Sequence, residues 1–195
     1  MGHGPDVLLA SQSPYRRELL GRLMDAFGSL APNVVETPLP GESPMQLAQR
    51  LAGLKASAGA VNAAEKVVIG SDQVAALGSR ILGKPGTTER AISQLLQCSG
   101  QVVDFYTAVC VLGPEGGDRL EHLDTTRVHF RKLTEATARR YIEADQPLDC
   151  AGSFKAERRG VILLERIDSC DPTAIQGLPL IWLADALRQR GVSII

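Results

Sequence analysis

A carboxylate inside an apolar run is costly unless it has a partner or a task. Asp72 stands in such a run: KVVIGSDQVAAL, residues 66–77, sets it between Val67–Ile69 and Val74–Ala76. Opposite charge comes from other short stretches. LLASQSPYRRELL, residues 8–20, reads as a strand entering a helix, with Ser13 at the N-cap and Pro14 at the first helical position. Arg16 and Arg17 then fall in the first turn, at the positive end of the helix dipole, where cations are disfavoured. The free N–H groups of that turn, two guanidinium forks and the hydroxyls of Ser11 and Ser13 make an anion trap suited to phosphate. The competing reading is a capped helix with solvated arginines, or with one arginine paired with Glu18 or a distant acid.

Lys55 follows Leu51 by four residues, so it borders the apolar face of its helix. There it either snorkels over that face or reaches a pocket. Lys84 lies in the loop GKPG and Lys155 in CAGSFKAE. Loops carry many binding residues, and they also carry ordinary solvated lysines. Glu36, in NVVETP, and Glu157 add further acids. Several cations and one embedded carboxylate suit phosphate transfer or hydrolysis, where charge must be neutralised and a carboxylate must hold metal or activate water. The chain has no GxxxxGK[ST] loop, no GxGxxG after a strand and no GxSxG elbow, which leaves the P-loop, dinucleotide-binding and serine-hydrolase routes unsupported.

These groups need a scaffold. The 195 residues are read as one domain, 1–195, with residues 1–6 a flexible extension. Strands are expected at 7–10, 66–77, 101–112, 120–133 and 160–167. Helices are expected after Ser13 with apolar residues recurring through Phe27, after Ser43, after Thr87 or Thr88, after Thr134 and over 178–191. Residues 32–43, rich in proline, read as an extended loop. The alternation predicts an α/β fold with a mixed sheet flanked by helices. A net charge of −1 and 4% aromatic residues argue against a nucleic-acid binder. The four cysteines show no metal spacing and read as reduced, mostly buried thiols. No run approaches a membrane span and no leader pattern opens the chain, so a cytoplasmic protein is expected.

The motifs SQSPYRRELL, APNVVETP, GSDQV, GKP, SGQVVDFYTAV, CAGSFKAE and GLPL occur in the order found in the Maf family of nucleotide pyrophosphatases, and the resemblance runs from about Leu8 to Leu187. SPYRR, SDQ and CAGSFKAE resemble the branch that hydrolyses 7-methyl-GTP, whereas the dTTP/UTP branch has SPRR and a threonine after the aspartate. The resemblance implies an elongated mixed sheet with two lobes around a cleft, related to the ITP pyrophosphatases. It implies cleavage between the α and β phosphates, a divalent cation such as Mg²⁺ or Mn²⁺, a homodimer, and an association with septum formation. Transferred residue by residue, Asp72 is the proton acceptor and, with Glu36, a metal ligand; Ser11, Ser13, Arg16, Arg17, Lys55 and Lys84 contact phosphate; Tyr15, Gln73 and Glu157 select the base. The chain departs from the family pattern at Asp104, Ala108, Arg158 and Arg159. Two other readings follow from the same residues: the same chemistry on dTTP or UTP, and a non-catalytic nucleotide-binding regulator of septum formation.

Overall fold

The structure, a computed structural model, describes residues 6–61 and 63–194. The extension expected at residues 1–6 therefore lies outside the described residues except for Asp6. The strands β1 (Val7–Ala10), β2 (Gly28–Leu30), β3 (Val67–Leu77), β4 (Arg80–Leu82), β5 (Val102–Leu112), β6 (Arg119–Phe130) and β7 (Leu164–Asp168) form one mixed sheet in the order β2-β1-β3-β5-β6-β7, with β4 on β3. The chain divides into two compact units. One takes the chain up to Gln73, Thr107–Asp124 and the chain from Asp171 onward; the other takes Val74–Tyr106 and Thr125–Cys170.

In the first unit, β1 (Val7–Ala10) lies between β2 (Gly28–Leu30) and the start of β3 (Val67–Leu77), parallel to both. The chain leaves β1 through α1 (Pro14–Leu20) to one neighbour and then through α2 (Pro44–Ala60) to the other. That reversal at β1 is a topological switch point, beyond whose carboxyl ends α/β sheets bind ligands.

Alternation along the strands assigns the two faces. Val7, Leu9, Val67 and Ile69 pack with Leu19 and Leu20 of α1 and with Leu183 and Leu187 of α5 (Leu180–Gln189). Leu8, Ala10 and Val68 pack on the other face with Ala60, at the end of α2. Gly70 lets α2 approach closely on this face: a Cβ there would sit 2.3 Å from the Ala52 carbonyl oxygen and the Ala56 nitrogen.

The second unit holds the far part of β3, which turns at Gly78 (φ +61°) into β4 (Arg80–Leu82) with Ala75 opposite Leu82. Segments of β5 (Val102–Leu112) and β6 (Arg119–Phe130) follow, with β7 (Leu164–Asp168) antiparallel to β6. Helices α3 (Thr88–Cys98) and α4 (Glu135–Asp145) pack together, and Phe154 meets the rings of Phe105 and Phe130 edge-on at 5.5 Å.

The caps expected at Ser13, Ser43, Thr87 and Thr134 are present, each hydroxyl accepting from the backbone N–H three residues on. Three expectations need correction. The first helix stops at Leu20, with Gly21 as its C-cap, and does not run on to Phe27. The strand expected at 160–167 begins as a 3₁₀ turn over Arg159–Leu163, and only Leu164–Asp168 is extended. Of the four thiols, Cys98 and Cys110 are buried and pushed up to about 11 by desolvation, while Cys150 is half-buried and Cys170 exposed. Among the described residues no helix is long and apolar enough to cross a membrane.

Candidate active site

The pleat of β3 aims its central residues in two directions. Asp72 shares its face with Val68 and Gly70, the face on which α2 packs. Lys55 lies on α2 between Ala52 and Ala56, whose backbone touches Gly70, so it is delivered to the same place. Its ammonium is 2.5 Å from Asp72 Oδ1 and 2.6 Å from Glu36 Oε1. Lys55 is thus buried with its ammonium held by two acids, so it does not snorkel.

Glu36 reaches Lys55 from the proline-rich loop, and α2 also secures that loop. The Arg50 guanidinium donates from Nε to Glu42 Oε1 (2.6 Å), from Nη2 to Glu42 Oε2 (2.8 Å) and from Nη2 to the Thr37 carbonyl (3.1 Å). Glu42 Oε2 also accepts from the Leu39 N–H at 2.9 Å. The Glu42 carboxyl is lowered to about 2, chiefly by its hydrogen bond to Arg50. Sequence reasoning misses Arg50 and Glu42, because seven intervening residues of helix and loop hide their pairing.

Ser71 and Gln73 point the other way, toward the segment before α5. Ser71 Oγ donates to the Gly177 carbonyl at 3.0 Å. Gln73 Nε2 contacts Thr107 Oγ1 at 2.9 Å, the Ala174 carbonyl at 3.0 Å and the Ile175 carbonyl at 3.1 Å. Its amide nitrogen is therefore engaged with protein.

The β1 register sets Ala10 opposite Gly70, so the Ser11–Ser13 turn runs beside Ser71 and Asp72. Ser11 is buried, and its hydroxyl accepts the Ser13 N–H at 3.1 Å. Ser13 Oγ caps α1 by accepting the Arg16 N–H at 3.3 Å. Half-buried Arg16 donates Nε to the Gly177 carbonyl at 2.9 Å. Burial pushes its guanidinium below the ordinary value, while Asp72 and then Glu36 pull it back up. Exposed Arg17 donates to Ser29 Oγ at 3.3 Å. Tyr15 is half-buried in the same turn.

The structure thus brings Ser11, Ser13, Tyr15, Arg16, Arg17, Glu36, Lys55, Asp72 and Gln73 into one unit. Lys84 and Glu157 belong to the other, both exposed. In that unit Lys155 donates its backbone N–H to Tyr141 Oη at 2.8 Å, and its ammonium lies 3.4 Å from the Asp145 carbonyl. Ser71 and Gly177 lay within quoted motifs, GSDQV and GLPL, but nothing in residue spacing reveals a contact spanning 106 positions.

Asp72 and Glu36 form a two-carboxylate oxygen set, and among the described residues no group of three or more His, Cys, Asp or Glu gathers to hold a metal. Both carboxylates hold the Lys55 ammonium, and both are oxygen donors of the kind that hard divalent cations take. Mg²⁺ characteristically takes one or two carboxylates and completes its shell with water and substrate phosphates.

A family model described as Maf-like protein matches residues 6–190. The 7-methyl-GTP pyrophosphatase of Polaromonas sp. (strain JS666 / ATCC BAA-500) is 53% identical over 188 residues, covering 96% of this chain and 86% of that protein. The 7-methyl-GTP pyrophosphatase of Xanthomonas campestris pv. campestris (strain 8004) is 53% identical over 190 residues, covering 97% and 98%. That of Vibrio vulnificus (strain CMCP6) is 46% identical over 189 residues, covering 97% of each. Among solved structures, the Staphylococcus aureus Ham1 protein aligns with a TM-score of 0.51 at 16% identity, over 94% of this chain and 98% of that one. At that identity the likeness concerns the fold alone.

Proposed function

The chain belongs to the Maf-like family, and on that premise we propose that it is a nucleoside triphosphate pyrophosphatase that hydrolyses 7-methyl-GTP to the monophosphate and pyrophosphate. The observation that carries the reading is the Lys55 ammonium held between Asp72 and Glu36. A binding module for an anion needs cations; it does not need an acid buried in the same place.

Asp72 Oδ1 is engaged with Lys55, so Oδ2 is assigned the proton of the attacking water. The water oxygen bonds to the α-phosphorus as the bridge from that phosphorus to the β-phosphate breaks. Pyrophosphate leaves with the bonding electron pair. Lys55 keeps Asp72 and Glu36 together without mutual repulsion and fixes the aspartate rotamer. Arg16 and Arg17 neutralise phosphate oxygens, with the Ser11–Ser13 turn supplying hydroxyls. Asp72 and Glu36 would hold the divalent cation, which when bound supplies charge neutralisation at the phosphates. Tyr15 is assigned a wall of the base site. Gln73 acts on base choice through the carbonyls it holds at Ala174 and Ile175.

The test is pyrophosphate release, with Mg²⁺ or Mn²⁺, from 7-methyl-GTP, GTP, dTTP, UTP and CTP. The expected result is preference for 7-methyl-GTP and a loss of at least about a hundredfold in Asp72→Asn, the low end of what general-base removal costs. Release mainly from dTTP or UTP keeps the mechanism and overturns the substrate. No release from any nucleotide overturns the reading in favour of a non-catalytic nucleotide-binding regulator.

A further inference from the structure

We propose that the Gly177 carbonyl is the seat that orients Arg16 toward the polyphosphate, and that Ser71 holds this seat in register with Asp72. The inference rests on the pyrophosphatase reading above.

A guanidinium carries its N–H groups in one plane. Arg16 commits Nε to Gly177 at 2.9 Å, and among the described residues no hydrogen bond from its two Nη groups is found. With the plane fixed at one edge, those two groups remain as a fork, the arrangement that matches phosphate oxygens bidentately. An arginine so held loses less freedom on meeting its anion than a solvated one.

The seat is built for this contact. Gly177 has φ +109°, a conformation L side chains rarely adopt. A Cβ there would lie 3.3 Å from Arg16 Nε and 3.6 Å from its Cγ. Glycine therefore both permits the backbone and clears the face against which the arginine lies. The carbonyl takes a second donor, the fully buried Ser71 hydroxyl, at 3.0 Å. Ser71 immediately precedes Asp72, so one strand fixes both the acid and the arginine's seat.

The rest of the segment is pinned as well. Thr107 Oγ1 donates to the Ala174 carbonyl at 2.9 Å, beside Gln73. Buried Asp171 accepts the Thr173 N–H at 2.8 Å and the Ile181 N–H at 2.7 Å, tying the segment to the start of α5. Ser71 and Gly177 are thus positioning residues that act through Arg16.

The experiment is a double-mutant cycle. Gly177→Ala and Ser71→Ala are each made in the wild type and in an Arg16→Ala background. Affinity for inorganic pyrophosphate with Mg²⁺ is read by calorimetry, KM and kcat by pyrophosphate release from 7-methyl-GTP. In the wild-type background Gly177→Ala is expected to weaken pyrophosphate affinity and raise KM about tenfold, the scale of one charge-assisted hydrogen bond. Ser71→Ala is expected to do the same by roughly threefold, the scale of a weaker neutral bond. In the Arg16→Ala background both effects should shrink below about twofold, within the error of independent sites. Equal losses in both backgrounds, or unchanged affinity in a folded variant, overturn the seat. If Gly177→Ala does not fold, the Ser71→Ala cycle decides alone. A wild type that releases no pyrophosphate from any nucleotide overturns the pyrophosphatase reading instead, a result distinguishable from an active enzyme with an additive cycle.

Discussion

At the scale of single residues, Lys55 carries two different burdens. Its side chain is 8% exposed and that of Asp72 11%, whereas that of Glu36 is 60% exposed. Removing the cation strands the buried acid; removing the exposed acid leaves a buried pair intact. Lys55→Met should therefore cost about 3 kcal/mol of stability, as breaking a buried ion pair does. Glu36→Gln should cost under about 1 kcal/mol, the range of an exposed pair. Urea denaturation at pH 7 reads both, and equal costs would contradict the pairing described. Asp72 was legible in the sequence because an acid in an apolar run announces itself. The arginines were legible because a cap and a proline fix their place in the turn. The burial of Lys55 was not, because it depends on how closely α2 approaches Gly70, and helical spacing alone does not encode depth.

At the scale of elements, the loop bearing Glu36 owes its course to the Arg50–Glu42 fork and the Thr37 carbonyl that Arg50 also holds. The Glu42 carboxyl stands at about 2 in the folded chain against an ordinary 4.5. A depressed folded value means that the unfolded chain takes up the proton first. The contribution of Glu42 to stability is thus fully present above about pH 4.5 and is lost as pH falls toward 2. Denaturation curves between pH 5 and 2.5, a window chosen around these values, should show a decline that Glu42→Gln makes shallower. Parallel declines in the two proteins would refute the linkage. Helix starts were legible here because capping is local chemistry: Ser43 and Gln46 form a reciprocal box within four residues. The misread strand at 160–167 shows the converse. GVILLERI is apolar and β-branched at its start, yet Val161 and Ile162 are exposed on a 3₁₀ turn, so apolar character there did not mean an extended, buried chain. β2, with only three residues, is too short to leave a period.

At the scale of the whole molecule, a net charge of −1 supplies no general attraction for a polyanion, so recognition must come from the local cluster. The two compact units are drawn from interleaved segments: β3, β5 and β6 each give part of their length to either one. Neither unit can release its share of those strands without disturbing a strand the other uses. Unfolding should therefore be a single cooperative transition. A non-hydrolysable α,β-methylene analogue of 7-methyl-GTP, with Mg²⁺ and at a hundred times its Kd, should stabilise the folded chain by about 2.7 kcal/mol. For a chain of this size that is an upward shift in Tm of roughly 5–11 °C. The shift should persist in Lys84→Ala at saturating analogue and shrink in Arg16→Ala at the wild-type analogue concentration, because mass action rewards only ligand that binds. Scanning calorimetry with and without the analogue reads the outcome. If two transitions appear and the analogue moves only one, the shared strands do not couple the units, and ligand energy gathered around Arg16 and Asp72 stays in the unit that binds it.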